Sequence, residues 1–214
     1  DAKGLFEVPD GLALDDAVAL LADGRTATMM LRAAQPREGE RVLVEAAAGG
    51  VGTLLVQLAK ASGATVVAAA GGEKTEVPMR LGADEAVDYS RPGWAGKVEK
   101  VDVVFDGIGG DVAREAFALL RQGGRMVSFG LASGEWANIS EEDAQARGVT
   151  LVGPKATPEE LREFTESALA AAAQGRLKPL VGQRFPLDDA AEAHAAIQSR
   201  RTVGKTLLEV SRPS

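Results

Sequence analysis

Cysteine is absent from the 214 residues, and histidine occurs once, at His194. Without a thiol the chain forms no disulfide, no thiolate zinc site and no cysteine nucleophile. A single imidazole leaves a triad of nucleophile, base and orienting acid without a base, so neither a catalytic side chain nor a metal-ligand set is assigned. A long apolar run is missing too. Nothing approaches the roughly 18 apolar residues of a membrane span. The opening Asp1-Ala2-Lys3-Gly4-Leu5-Phe6 has no basic start followed by an apolar core. These absences lead us to expect a cytoplasmic protein with no membrane partner. Positive charge is also in deficit, with 24 Lys and Arg against 31 Asp and Glu and a formal net charge of −7. That balance repels a phosphate backbone and argues against nucleic acid as a partner. The first residue is not Met, which fits a fragment or a processed product.

What is present is the balance of a folded chain, 45% hydrophobic and 26% charged. Arg41-Val-Leu-Val-Glu45 is a short β-branched run that enters a glycine cluster and then a helical pattern over 51–60. The alternation repeats. A strand at 65–68 precedes a helix near 74–81, and a strand at 101–105 precedes a helix near 112–120. Further strands are predicted at 85–88, at 125–129 after the turn Gln122-Gly123-Gly124, and at 149–152. Repeated β-α units imply a parallel sheet, and six strands complete a doubly wound one. Before the first strand, residues 14–32 carry apolar positions at helical spacing, with Asp15 and Asp16 near the helix start. Thr157-Pro158 combines an N-cap with proline at the first helical position, and the alanine-rich run that follows stops at Gly175. The tail changes character: strand-like 180–185, helix 187–199 and strand 205–210 are read as part of another domain.

The turn Ala47-Ala48-Gly49-Gly50-Val51-Gly52 matches the dinucleotide fingerprint. Ala47 is small enough for the turn, Gly49 lets the backbone approach a pyrophosphate, and Gly52 lets helix pack closely on strand. The pyrophosphate would lie over the Gly50 and Val51 amides, at the positive end of the helix. The second strand of an NAD-binding domain usually ends on an acid that holds the ribose 2′-hydroxyl. Here the chain reads Ala70-Gly71-Gly72, with Lys74 just beyond. Loss of the carboxylate and gain of a cation favour a 2′-phosphate, so NADP(H) is the expected cofactor. Glu73 can be read as a displaced ribose ligand or as a complement to the next helix's dipole, and the second reading is preferred.

Several ordered motifs then carry a resemblance over nearly the whole chain. They are the run 45–60, Leu81-Gly82-Ala83-Asp84, the run from Val103 to Gly109, and Gly124-Arg125-Met126-Val127-Ser128-Phe129-Gly130. The ending Phe185-Pro186-Leu187-Asp188 through His194, followed by Ser199 to Lys205, belongs with them. Together they resemble the medium-chain dehydrogenase/reductases, and within them the zinc-independent NADPH:quinone oxidoreductases, also called zeta-crystallin-like. The resemblance implies that Lys74, Tyr89 and Arg200 contact the adenosine 2′-phosphate, with Gly71 the small residue beneath it. It implies that Ile108 and Gly109, with Phe129, Gly130 and Leu131, flank the nicotinamide. Leu131 stands where that branch often has Asn. Read without the resemblance, Tyr89 is a packing aromatic and Arg200 a solvated helix end. His194 reads as a helix-surface residue.

The resemblance also implies a GroES-like substrate domain, of which this chain holds only the end. The expected division is 1–24 for the end of that domain and a linker, 25–176 for a six-stranded Rossmann domain, and 177–214 for a C-terminal remnant returning to the substrate domain. The expected activity is hydride transfer from NADPH to a quinone or an activated enone or carbonyl. The alternatives are a cofactor-binding module without turnover and an enoyl reductase segment of a larger synthase. The expected partners are a small-molecule substrate and a second copy of the chain. Pairing of that copy along 149–152 would cover an exposed parallel edge, with Arg147 and Lys155 as possible blockers.

Overall fold

The computed structural model describes residues 4–210; 1–3 and 211–214, the outer ends of the first and third expected segments, lie outside the described residues. α1 (Leu14–Ala34) buries Ala17, Leu20, Ala27, Met30 and Ala34 along one stripe, and its first turn holds Asp15 and Asp16 at the positive end of the helix dipole. It closes at Gln35, φ 48°, whose N–H donates to the Leu31 carbonyl. The expected division at 24/25 therefore falls inside one continuous helix. At Gly24 a Cβ would stand 2.8 Å from that of Ala168, so the helix crosses a neighbour here with no room for a side chain.

Six parallel strands follow: β1 (Arg41–Val44), β2 (Thr65–Ala70), β3 (Glu85–Asp88), β4 (Val101–Asp106), β5 (Leu120–Ser128) and β6 (Thr150–Val152). They lie in the order β3-β2-β1-β4-β5-β6, the doubly wound arrangement. Its order reverses between β1 and β4, where Val42 pairs with Val103 and Val44 with Phe105. Side chains alternate across the sheet with the period of two that a strand imposes. Val42, Val44, Val66, Ala68, Val103 and Phe105 enter the core on one face. Leu43, Val67, Ala69 and Val104 enter the core on the other, joined by Val101, which breaks the alternation at a register shift before Val103. Because both faces are covered at the centre of the sheet, β1 and β2 read, after their first residue, as unbroken apolar runs.

The first face is closed by α1, α2 (Gly50–Ala61) and α6 (Pro158–Ala173). α6 opens on a full capping box: the Glu160 N–H donates to the Thr157 hydroxyl at 3.2 Å, and the Thr157 N–H donates to the Glu160 carboxylate at 2.9 Å. The second face carries Trp94, α4 (Gly110–Leu119) and α5 (Glu141–Ala146). Between β2 and β3 the expected single helix is divided into a 3₁₀ turn, Gly72–Thr75, and the short α3 (Glu76–Arg80), in line with Pro78 inside the pattern. The expected turn at 122–124 is an irregularity inside β5. Leu120 pairs with Val101, and regular pairing resumes only at Arg125 with Val103.

The tail forms β7 (Val181–Pro186), α7 (Ala190–Gln198) and β8 (Lys205–Glu209). It is itself a β-α-β unit with parallel strands, in a two-stranded sheet of its own. β7 alternates between half-buried and exposed residues instead of running apolar, so its sequence does not read as a continuation of the buried sheet. The tail docks on the glycine turn: the Gly204 N–H donates to the Ala48 carbonyl at 2.8 Å, and Lys205 Nζ donates to Asp23 Oδ1 at 3.1 Å.

Candidate functional site

The glycine turn sits at the carboxyl end of β1, where the strand order reverses. The Ala47 N–H donates to Ala69 and the Gly49 N–H to Ala46, each carbonyl tying the turn to a neighbouring strand end or to itself. Ala46 takes φ 47°, a left-handed conformation uncommon for a residue with a Cβ. α2 begins at Gly50 behind Gly49, and no side chain caps it. The first amides of a helix have no intrahelical acceptor, so Gly50, Val51 and Gly52 present N–H groups at the positive end of the dipole. A Cβ at Gly52 would stand 2.2 Å from the Ala46 carbonyl oxygen and 2.8 Å from Ala47 Cα, so this glycine is required by helix-on-strand packing. At Gly49 the nearest atom would be the Ala46 oxygen at 3.2 Å. Gly50 answers to a contact the sequence did not disclose: a Cβ there would meet the carboxylate of Asp23 at 2.1 Å. No local pattern reveals that Asp23, from the middle of α1, leans over this turn.

The second cluster lies beyond β2. Gly71 is extended, φ −89°, and a Cβ on it would touch the Tyr89 hydroxyl at 3.4 Å. Lys74 Nζ donates to the Arg200 carbonyl at 2.7 Å, across 126 residues of sequence. Burial, and then the charge of Arg200, draw the Lys74 ammonium below its ordinary value. Burial raises the Tyr89 phenol, and Arg200 opposes that rise. Arg200 also donates from Nη2 to the Ala132 carbonyl at 2.5 Å, so it links this cluster to the loop after β5. Gly71, Lys74, Tyr89 and Arg200 are thus brought to one rim, and Glu73 stands exposed in the first turn of the 3₁₀ segment. Asp88 was not among the expected site residues, yet it organises this rim. It accepts from the Gly72 N–H at 2.8 Å, the Ser90 N–H at 3.0 Å and Arg91 Nε at 3.0 Å, as well as from the Ser90 hydroxyl. The Ser90 hydroxyl foremost, then the Gly72 amide, hold its carboxyl well below the usual carboxylate range. The signal available in the sequence was an Asp followed two residues on by a serine, the Asx-turn pattern.

The third cluster joins the ends of β4 and β5. Asp106 Oδ1 accepts from the Ile108 N–H at 3.0 Å and the Gly109 N–H at 2.8 Å, and Oδ2 accepts from the Ser128 hydroxyl at 2.7 Å. Gly109 has φ 75°, and a Cβ there would meet the Glu135 carbonyl oxygen at 2.0 Å, so no other residue fits. The loops interlock: a Cβ at Gly130 would stand 2.7 Å from the Gly107 carbonyl oxygen, and the Ser133 N–H donates to Ile108 at 2.8 Å. The Ile108 side chain is buried, Phe129 and Gly130 are half-buried and Leu131 is exposed. Asp106 and Ser128 lay inside the quoted motifs, but which polar residue faces inward depends on strand register, which a motif does not state.

His194 lies exposed on α7. Among the described residues no group of three or more His, Cys, Asp or Glu could hold a metal ion, and no helix is long and apolar enough to cross a membrane. A groove of about 380 Å³, lined by Met126, Ser128, Trp136, Ile139, Leu151 and Pro154, runs along β5 and β6 and meets the third cluster at Ser128. It is shallow, and we place the functional site instead at the turn, where donors and cations converge.

The family described as zinc-binding dehydrogenase matches residues 81–208. The chain is similar to the quinone oxidoreductase of Pseudomonas aeruginosa, 33% identical over 95% of this chain and 67% of that one. It is similar to the 2-haloacrylate reductase of a Burkholderia species, 34% identical over 97% of this chain and 67% of that one. Among solved structures it superposes on the Escherichia coli quinone oxidoreductase complexed with NADPH with a TM-score of 0.86, at 30% identity, over 95% of this chain and 68% of that one. The chain thus spans about two thirds of the length of the curated relatives it matches.

Proposed function

The chain belongs to the medium-chain dehydrogenase/reductase superfamily, in its quinone-oxidoreductase or zeta-crystallin-like branch, and from that membership we propose that it binds NADP(H) for the reduction of a quinone or an activated enone or carbonyl. The observation that carries the cofactor is the rim of Gly71, Lys74, Tyr89 and Arg200, where two cations converge, the position after β2 is a glycine in place of an acid, and the one carboxylate that organises the rim, Asp88, is bound to Gly72, Ser90 and Arg91. When bound, NADPH supplies the hydride. The turn Ala47 to Gly52 would cradle the pyrophosphate on the Gly50 and Val51 amides. Ile108 and Gly109 on one side, with Phe129, Gly130 and Leu131 on the other, would fix the plane and depth of the nicotinamide and exclude water from it. No side chain here need exchange a proton with substrate, because positioning supplies most of what this chain contributes. The described residues supply no donor set for zinc, and no step is routed through a metal.

The names of the relatives support the substrate class, since a quinone and a 2-haloacrylate both offer an electron-poor double bond to hydride. We further propose the division 1–24, 25–176 and 177–214, the tail serving a substrate domain, and a homodimer paired along β6. The shallow apolar groove beside that edge, with Trp136 46% exposed, supports an occupied surface there. Because the chain spans two thirds of its relatives, a second reading is a cofactor-binding module that does not turn over by itself. Calorimetric titration tests the cofactor. NADPH should bind at least about tenfold more tightly than NADH, because one charge-assisted contact is worth about 1.5 to 3 kcal/mol and about 1.4 kcal/mol is tenfold. Equal affinities would overturn the assignment.

A further inference from the structure

At the centre of the switch point lies a side chain that the cofactor reading does not use. Glu45 is fully buried, and neither of its carboxyl oxygens makes a hydrogen bond of full geometry: the Ile108 N–H, which favours its charged form, is given to Asp106 instead. It continues β1 beside β4, its N–H donating to the Phe105 carbonyl at 3.0 Å, which sets it next to Asp106. Asp106 is buried as well and already accepts from two amides and a hydroxyl, the pattern of an ionised carboxylate. Among the described residues the titratable groups bearing on Glu45 are Asp106 from β4 and the Tyr89 phenol after β3. Arg200 and Asp88 act on Tyr89 in turn, and no cation bonds to Glu45. Two buried carboxylates side by side, one of them without a donor, are not both ionised in such a place. Burial first, and the Asp106 charge second, push the Glu45 carboxyl well above the ordinary carboxylate range, against the smaller opposing effect of the Ile108 amide. A neutral Glu45 has an O–H to give, and Asp106 is the acceptor beside it.

We propose that Glu45 and Asp106 hold one proton between them, and that Glu45 is thereby a positioning residue: its O–H donates to Asp106, and Asp106 fixes Ile108, Gly109 and the end of β5. The proton is a property of this chain alone, whereas the ligand of the positioned loops rests on the proposed function. The pair links the loop after β4 to the loop after β5 through Ser128, so one proton orders both walls of the nicotinamide end.

The test compares wild type with Glu45→Gln, which keeps a neutral donor of the same shape, and with Glu45→Leu, which keeps the volume without a donor. In the unfolded chain Glu45 ionises near about 4.3, while the folded chain keeps its proton to higher pH. The folded state then binds more protons across that window, and stability is greatest below it and declines as pH rises. Urea unfolding at successive pH values above about 5 should show the wild-type unfolding constant rising relative to Glu45→Gln by up to about tenfold per pH unit. Parallel profiles would overturn the shared proton. If Glu45→Gln does not fold, proton uptake during refolding of the wild type gives the same count, and no uptake attributable to a carboxyl near neutral pH overturns it. Fluorescence titration should find Glu45→Gln within about threefold of wild type for NADPH, and Glu45→Leu weakened about tenfold for NADPH and NADH alike, as a lost buried donor implies. Wild-type affinity in Glu45→Leu overturns the positioning role. A wild type that binds neither nucleotide overturns the cofactor reading, and the positioning role with it, while the pH profiles still decide the proton.

Discussion

At the scale of single residues, three positions of the glycine turn look alike in sequence and differ in what forbids a side chain. Gly49 has an ordinary extended backbone, φ −85° and ψ 174°, and a Cβ there meets one oxygen at 3.2 Å. Gly49→Val should therefore leave the fold intact by circular dichroism and abolish NADPH binding, because its branched side chain fills the approach to the pyrophosphate. A folded variant with normal affinity would show that the phosphate lies elsewhere. Gly52→Ala acts on the other property. Its Cβ would press on backbone atoms that cannot move alone, so we expect a loss of about 1 to 3 kcal/mol in urea denaturation. Lys74→Ala should weaken NADPH about tenfold or more and leave NADH nearly unchanged, read by calorimetry. A matching loss for both would mean that Lys74 serves the fold through its bond to Arg200.

At the scale of elements, β6 is one of the two edges of the sheet and the shortest strand in it. An unpaired parallel edge invites another strand, and isologous pairing is one way to satisfy it. Arg147, one of the side chains expected to oppose such pairing, is exposed and folds back over the end of α4: it donates to the Ala118 carbonyl at 3.0 Å and lies 5.0 Å from the centre of the Phe117 ring. Leu151→Pro removes a ladder N–H and should convert a dimer to monomer in light scattering at micromolar concentration. A wild type that is already monomeric would refute the pairing. Strands and long helices were legible because burial on both faces writes itself as apolar runs, and Thr157-Pro158 announced α6. The short α5 was not, since its residues Glu141–Ala146 are polar and its only announcement is Ser140, whose hydroxyl accepts from the Asp143 N–H at 3.0 Å.

At the scale of the whole molecule, stability should respond to acid through groups far apart in the fold. Asp88 is held low by the Ser90 hydroxyl and the Gly72 amide. Glu40 is held low by its bond to Arg125. Asp84, against the opposing effect of burial, is held low by Lys60. A carboxyl lowered by folding stabilises above its unfolded value and loses that contribution as pH falls through its folded value. The thermal midpoint should accordingly drop as pH falls below about 4, and Asp88→Asn should flatten that drop; an unchanged slope would remove Asp88 from the account. The sequence by itself determined the doubly wound sheet, the strand, glycine turn and helix of residues 41–61, and the cofactor class, because each is written in local terms: strand period, helix start, and a glycine where an acid would otherwise stand. Only the tertiary structure decided what brings Lys74 to Arg200, why Gly50 lies under Asp23, and that Glu45 faces Asp106 without a donor. Those are contacts between distant segments, set by strand order and by the docking of the tail, and no neighbouring residue records them.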